Sequence, residues 1–148
     1  MNSKDISAGS PETLGVTPTG SGVNIAVFSA NASAIEFCLF DPAGEQELRR
    51  IPLPERTGDV FHGHLRDIGE GARYGLRAHG PFAPGEGLRF NPSKLLLDPY
   101  ATAIDRPFRL HPSMFGSLPG DRTLNSDDSA FAMPKAIISN SGANFAAA

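Results

Sequence analysis

The residues of this chain that could do chemistry are few and scattered. His62 and His64 stand two apart in the strand-like run VFHGHL, so both side chains would leave one side of the strand and could offer two ligands to a metal. Two ligands are not a site. No Cys adjoins them, and His79 and His111 belong to other segments, so the pair reads as polar residues on the outer face of a half-buried strand; no metal and no cofactor is expected. The acids converge no better. Asp98 precedes a proline and Asp127 and Asp128 share a polar stretch, where capping, turn formation and solvation are the ordinary roles, so no catalytic residue is expected. The single cysteine, Cys38, lies in an apolar run and reads as a buried thiol. Gly75, Gly80, Gly85 and Gly87 lack the spacing of a phosphate-binding loop and serve turns. The best candidates for contact with a sugar are Phe82, Arg89, Phe90 and Asn91, two flat rings to stack and two polar groups to fix hydroxyls. With no Trp in the chain, the same residues read more readily as a surface for a protein partner.

These residues have to be placed by strands. The chain has 148 residues, about the size of one domain, and its 40% hydrophobic content with 10 Phe is enough for a core. Sixteen Gly and 13 Pro are spread along it and leave few windows long enough for a helix. Period-two alternation puts Val23, Ile25 and Val27 on one side of a strand over residues 22–29, and Ile35, Phe37 and Leu39 on one side of a second over Ala34–Phe40. Asp41, Pro42, Ala43 and Gly44 then supply turn chemistry. A third strand is predicted over residues 45–51, ended by Pro52 and Pro54. A polar loop over 55–59 leads to a fourth over 60–65, and a fifth over Arg73–His79 sets Tyr74, Leu76 and Ala78 against a charged face of Arg73, Arg77 and His79. Five short strands separated by turns, with no helical pattern between them, predict an all-β, immunoglobulin-like antiparallel β-sandwich with long irregular loops. Residues 80–91 are too rich in Gly and Pro for regular structure and read as a long, functional loop; one more strand is expected near 136–138.

The charge balance limits the partners. Thirteen basic against 16 acidic residues give a net charge of −3, and no run of Lys or Arg is long enough for a phosphate-binding patch, so nucleic acid is not an expected partner. No stretch reaches the roughly 18 apolar residues of a membrane span, and the first residues lack the apolar core of a signal peptide, so no membrane partner is expected. Together with the lone cysteine, these features predict a cytoplasmic protein.

Residues 74–101, YGLRAHGPFAPGEGLRFNPSKLLLDPYA, form a signature. With PETLGVTPTGSGVNIAVFSANASAIEFCLFDPAGEQE upstream and NSDDSAFAMPKAII downstream, it resembles the amino-terminal module of bacterial glycogen-debranching enzymes of the isoamylase type, in glycoside hydrolase family 13, which is similar to carbohydrate-binding module family 48. Phe61 departs from the pattern by standing where these enzymes commonly carry Trp. The resemblance implies the sandwich over 11–105 and a wrapping segment over 106–138 that leads towards a catalytic barrel; outside it, residues 1–10 read as a flexible N-terminus and 139–148 as a disordered or artefactual tail. A (β/α)₈ barrel needs about 250 residues, so none fits in this chain, and the paired carboxylates of glycoside hydrolysis would lie elsewhere. The implied role is that of a non-catalytic, truncated module of an α-1,6-glucosidase of glycogen catabolism, whose partner is the missing barrel of the same enzyme; a free-standing module for glycogen or another α-glucan is the alternative. Phe82, Arg89, Phe90 and Asn91, with residues 95–100, would then face barrel or sugar.

Overall fold

The computed structural model describes residues 6–83, 85, 88–108, 111–115 and 125–139, with the backbone alone at Arg89. Among the described residues eleven strands follow in order: β1 (Ile6–Ser7), β2 (Gly15–Pro18), β3 (Gly22–Phe28), β4 (Ala34–Phe40), β5 (Glu47–Pro52), β6 (Glu55–Thr57), β7 (Val60–Arg66), β8 (Arg73–His79), β9 (Phe82–Ala83), β10 (Leu88–Arg89) and β11 (Ala136–Ile137). One sheet has the order β1-β7-β3-β2, with β6 also paired to β7; the other runs β11-β8-β4-β5, and β9 and β10 form a separate hairpin. All of these pairings are antiparallel. The result is the immunoglobulin-like sandwich that the sequence predicts.

Alternation builds the core as expected. Val23 and Ile25 of β3, Phe61 and Leu65 of β7, Ile35, Phe37 and Leu39 of β4, and Tyr74, Leu76 and Ala78 of β8 fill the space between the sheets. The rings of Phe37 and Tyr74 stack there with centroids 5.3 Å apart. Each large apolar side chain so buried contributes about 1.5–3 kcal/mol. The Asp41 turn also closes as its residues dictate: Gly44, at φ +71°, donates to the Asp41 carbonyl, and the Asp41 side chain accepts from Glu45 N at 2.8 Å.

The structure departs from the sequence reading in several places, β2 among them, which pairs with β3 ahead of the first predicted strand. Residues 55–57 are strand rather than loop, because a tight turn at Gly58 (φ +60°) folds them back on β7; all three are exposed, so they carry no apolar alternation. Within the stretch 80–91, Phe82–Ala83 and Leu88–Arg89 pair as a short hairpin that no periodicity could announce. The sheet starts before residue 11, since Ile6 and Ser7 pair with Leu65 and His64. Finally, the outward face of β8 is not a solvated charged face. Arg77 is only 1% exposed.

That burial has a clear cause. Residues 125–135 lie across the outer face of the β4 and β8 sheet, with residues 111–115 held beside them by Lys94 and Asn125, and Ala130 joins Cys38, Phe40 and Leu95 in a second, smaller core with Met133 packed against it. Gly75 makes room for it, because a Cβ at that position would stand 2.6 Å from the Leu95 side chain. Cys38 is the buried thiol expected, and burial pushes its ionisation up, with Glu47 adding to the effect.

Candidate functional site

A cleft of about 590 Å³ opens where the end of β3 and the strand β8 meet the chain of residues 88–100. Its walls are mainly apolar: Phe28, Leu88, Phe90, Leu96, Leu97 and Tyr100 line it, with Ser29 and Asn31 among its polar residues. Phe28, Leu96 and Tyr100 are exposed by 60%, 45% and 57%, so this cleft gathers three of the large apolar side chains that the sandwich leaves in water.

Local sequence explains the arrangement. Leu96 exchanges backbone hydrogen bonds with Leu76 of β8 at 2.9 and 2.7 Å, which lays residues 95–97 alongside that strand and alternates Leu95 inward with Leu96 outward. Asp98 ends the run by accepting from Tyr100 N at 2.9 Å. Gly15, at φ +99°, lets β2 pass close beneath, since a Cβ there would stand 2.8 Å from Tyr100 Cβ. Gly80 does the same for Phe90, whose ring fills the place a Cβ would need.

The four residues singled out in the sequence meet different fates. Phe90 lines the cleft but is half-buried against the main core. Phe82 is half-buried in β9, opposite Arg89 in the hairpin register, and the Arg89 side chain lies outside the described residues. Asn91 is 6% exposed and its amide is used internally, Nδ2 donating to the Asn125 carbonyl at 2.8 Å and Oδ1 accepting from Ser93 N at 3.0 Å. Its neighbour Lys94 behaves similarly: Nζ donates to the Ser113 and Asp127 carbonyls, and burial lowers its ionisation. Phe28, Ser29 and Asn31 are cleft residues that the sequence reading passed over. The signal was present, since Phe28 shares strand parity with Asn24, where a polar side chain is expected on the outer face.

The histidines and acids are occupied in structural roles. His62 is indeed opposite the core, but it is buried instead of solvated, held by Thr57 Oγ1 at 2.7 Å and the Ala8 carbonyl at 2.6 Å, while His64 meets Thr19 Oγ1 at 2.9 Å. Among the described residues no three His, Cys, Asp or Glu come together as a metal site. Arg77 donates to Glu47 and Asp128 and to the Pro92 carbonyl. Burial raises both acids, but hydrogen bonds outweigh it, Arg50 on Glu47 and the Ala130 amide with Arg77 on Asp128, and hold them below the usual carboxylate range.

Residues 13–101 match the family model of carbohydrate-binding module 48 (isoamylase N-terminal domain). The chain is 49% identical over 133 residues to a glycogen debranching enzyme of Yersinia enterocolitica and 44% identical over 134 residues to one of Serratia proteamaculans. In each case the match takes in 90% of this chain, which spans only 19% and 20% of the two relatives. Among solved structures it is similar to a multi-modular glycogen-degrading pneumococcal virulence factor (TM-score 0.57, 15% identity, 93% of this chain, 12% of that one). It is also similar to the GBS pullulanase SAP in complex with maltotetraose (TM-score 0.56, 18% identity, 86% and 14%).

Proposed function

The chain belongs to the carbohydrate-binding module 48 (isoamylase N-terminal domain) family, and from that membership we propose that it acts as a non-catalytic amino-terminal module of a cytoplasmic glycogen-debranching enzyme. In this reading the complete enzyme hydrolyses α-1,6 branch linkages, the carboxylate pair for that reaction sits on a catalytic barrel, and the sandwich docks on the barrel through the cleft. The proposal divides the chain into the sandwich, which begins with β1 at Ile6 and runs to 105, and the wrapping segment over 106–138, which rejoins the sheet as β11. The observation that carries it is the exposure of Phe28, Leu96 and Tyr100 around one apolar cleft, on a chain that spans about a fifth of its debranching relatives. Burying such a patch is what an interdomain interface of roughly 1,000 Å² does.

A chimera tests this reading. The region of the Yersinia enzyme that follows its match, fused after Ser139, should debranch limit dextrin, and Phe28→Ser with Tyr100→Ser should lower that activity. Unchanged activity would place the docking surface elsewhere. The second reading, a free-standing α-glucan module, draws on the same exposed Phe28 and Tyr100 as stacking rings. Affinity electrophoresis in glycogen gels separates the two: weak retardation is expected for the chain alone, whereas strong retardation abolished by Tyr100→Ala would favour the second.

A further inference from the structure

The segment covering the outer face of the β4 and β8 sheet is held in an unusual way. Its described parts contain one 3-10 turn, Pro112–Met114, and no strand until β11, so few ladder bonds fix it. It is held instead by side chains reaching backbone groups. Lys94 Nζ donates to the carbonyls of Ser113 and Asp127, and Asn91 Nδ2 donates to that of Asn125. Leu95 N donates to Ser129 Oγ, and Ser129 N to the Ser93 carbonyl. The two stretches also hold each other, Asn125 Nδ2 donating to the Pro112 carbonyl and His111 meeting Phe131 edge-on with centroids 4.9 Å apart. Most of the bonds to the sandwich thus converge on the turn of residues 91–95, and Arg77 of β8 adds an ion pair to Asp128, donating at 3.0 and 3.2 Å.

We infer that residues 111–115 and 125–133 form a strap that opens from the sheet as a unit, with Asn91 and Lys94 as the clamp that holds it closed. Elements with few ladder bonds open locally at a lower free energy than the whole domain. Opening would cost this segment its clamp and the Ala130 and Met133 packing, while the main core between the sheets stays intact. In this assignment the RFNPSK part of the signature is a socket for the chain that follows it.

Cys38 reports on the strap through Ala130, because it is the sole cysteine, is fully buried and shares the second core with that strap residue. The full chain is treated with N-ethylmaleimide at several urea concentrations below the unfolding transition. Cys38 should react at a rate that depends only weakly on urea, as a local opening does, since the urea slope scales with the surface exposed. Asn91→Asp keeps the acceptor for Ser93 N and removes the donor to Asn125, and should speed alkylation about tenfold, the loss of one well-placed hydrogen bond; Lys94→Met removes the ammonium with both of its bonds and should speed it by more. Val23→Ala, in the main core, serves as comparator and should act through global stability alone. Two results overturn the strap: a wild-type rate that carries the full urea slope of global unfolding, or clamp variants that accelerate no more than their loss of global stability accounts for. The wild-type slope decides the question even where a variant fails to fold.

Discussion

Tyr74 on β8 donates its phenol hydrogen to Asp98 Oδ2 at 2.6 Å, and both residues are buried. The bond joins the start of a sandwich strand to the residue that ends the cleft wall, and Tyr100 N donates to the other carboxylate oxygen. Tyr74→Phe keeps the ring stacked on Phe37 and leaves a buried carboxylate oxygen without its donor, so it should cost about 1–3 kcal/mol. Urea unfolding measures this. A loss under about 0.5 kcal/mol, the range of an ordinary surface change, would show that the bond contributes nothing to the cleft wall.

Asp105 gives a pH dependence with a definite sign. Its side chain is 2% exposed and accepts from Arg106 and from Lys135 N, with Arg73 Nε 3.7 Å away. Burial raises its ionisation, but the Arg106 and Lys135 bonds outweigh that and hold it below the ordinary carboxylate value. A carboxylate depressed in the folded state contributes stability above its unfolded value, near 3.9, and loses it as pH falls through the folded one. The urea midpoint should therefore drop between about pH 5 and pH 2, and Asp105→Asn should be less stable at pH 7 but flatter across that window. Parallel pH profiles for the two proteins would remove Asp105 from the explanation.

Gly75 and Leu95 share one space, so Gly75→Ala should overpack the second core at a cost of about 1–3 kcal/mol. Leu95→Ala should cost about 2–5 kcal/mol by leaving a cavity. Because the new methyl enters that cavity, the double variant should be more stable than the sum of the singles by about 1 kcal/mol. Strict additivity in the double-mutant cycle would mean that the two sites do not touch.

The cleft rings should sort by burial. Phe28→Ser and Tyr100→Ser should change Tm little and raise soluble yield, because both rings face water in the chain alone. Phe90→Ser should lower Tm, since that ring fills the notch at Gly80 and packs on the main core. Thermal unfolding and soluble yield of the three variants check this, and a large Tm loss at Phe28 would make it a core residue.

The strands of the sandwich were legible because alternation is a property of neighbours in sequence. Val23 and Ile25, or Ile35, Phe37 and Leu39, announce a buried face whatever covers it, and the Asp41 to Gly44 turn follows from local φ preferences. The signature likewise announced its family without any fold, being a string of residue identities. Long-range contacts decided the rest. Arg77 and His62 look like solvated polar residues by parity, and the return of residues 125–128, the pairing of residues 6–7 and 55–57 with β7, and the Ala8 carbonyl bury them. The same holds for the cleft: Asn91, chosen as a polar contact, spends its amide on Asn125, 34 residues away, while Phe28 reaches the surface beside Tyr100. Periodicity records which way a side chain points from its own strand, whereas exposure depends on what later chain packs there. That second quantity exists only once the tertiary structure has formed.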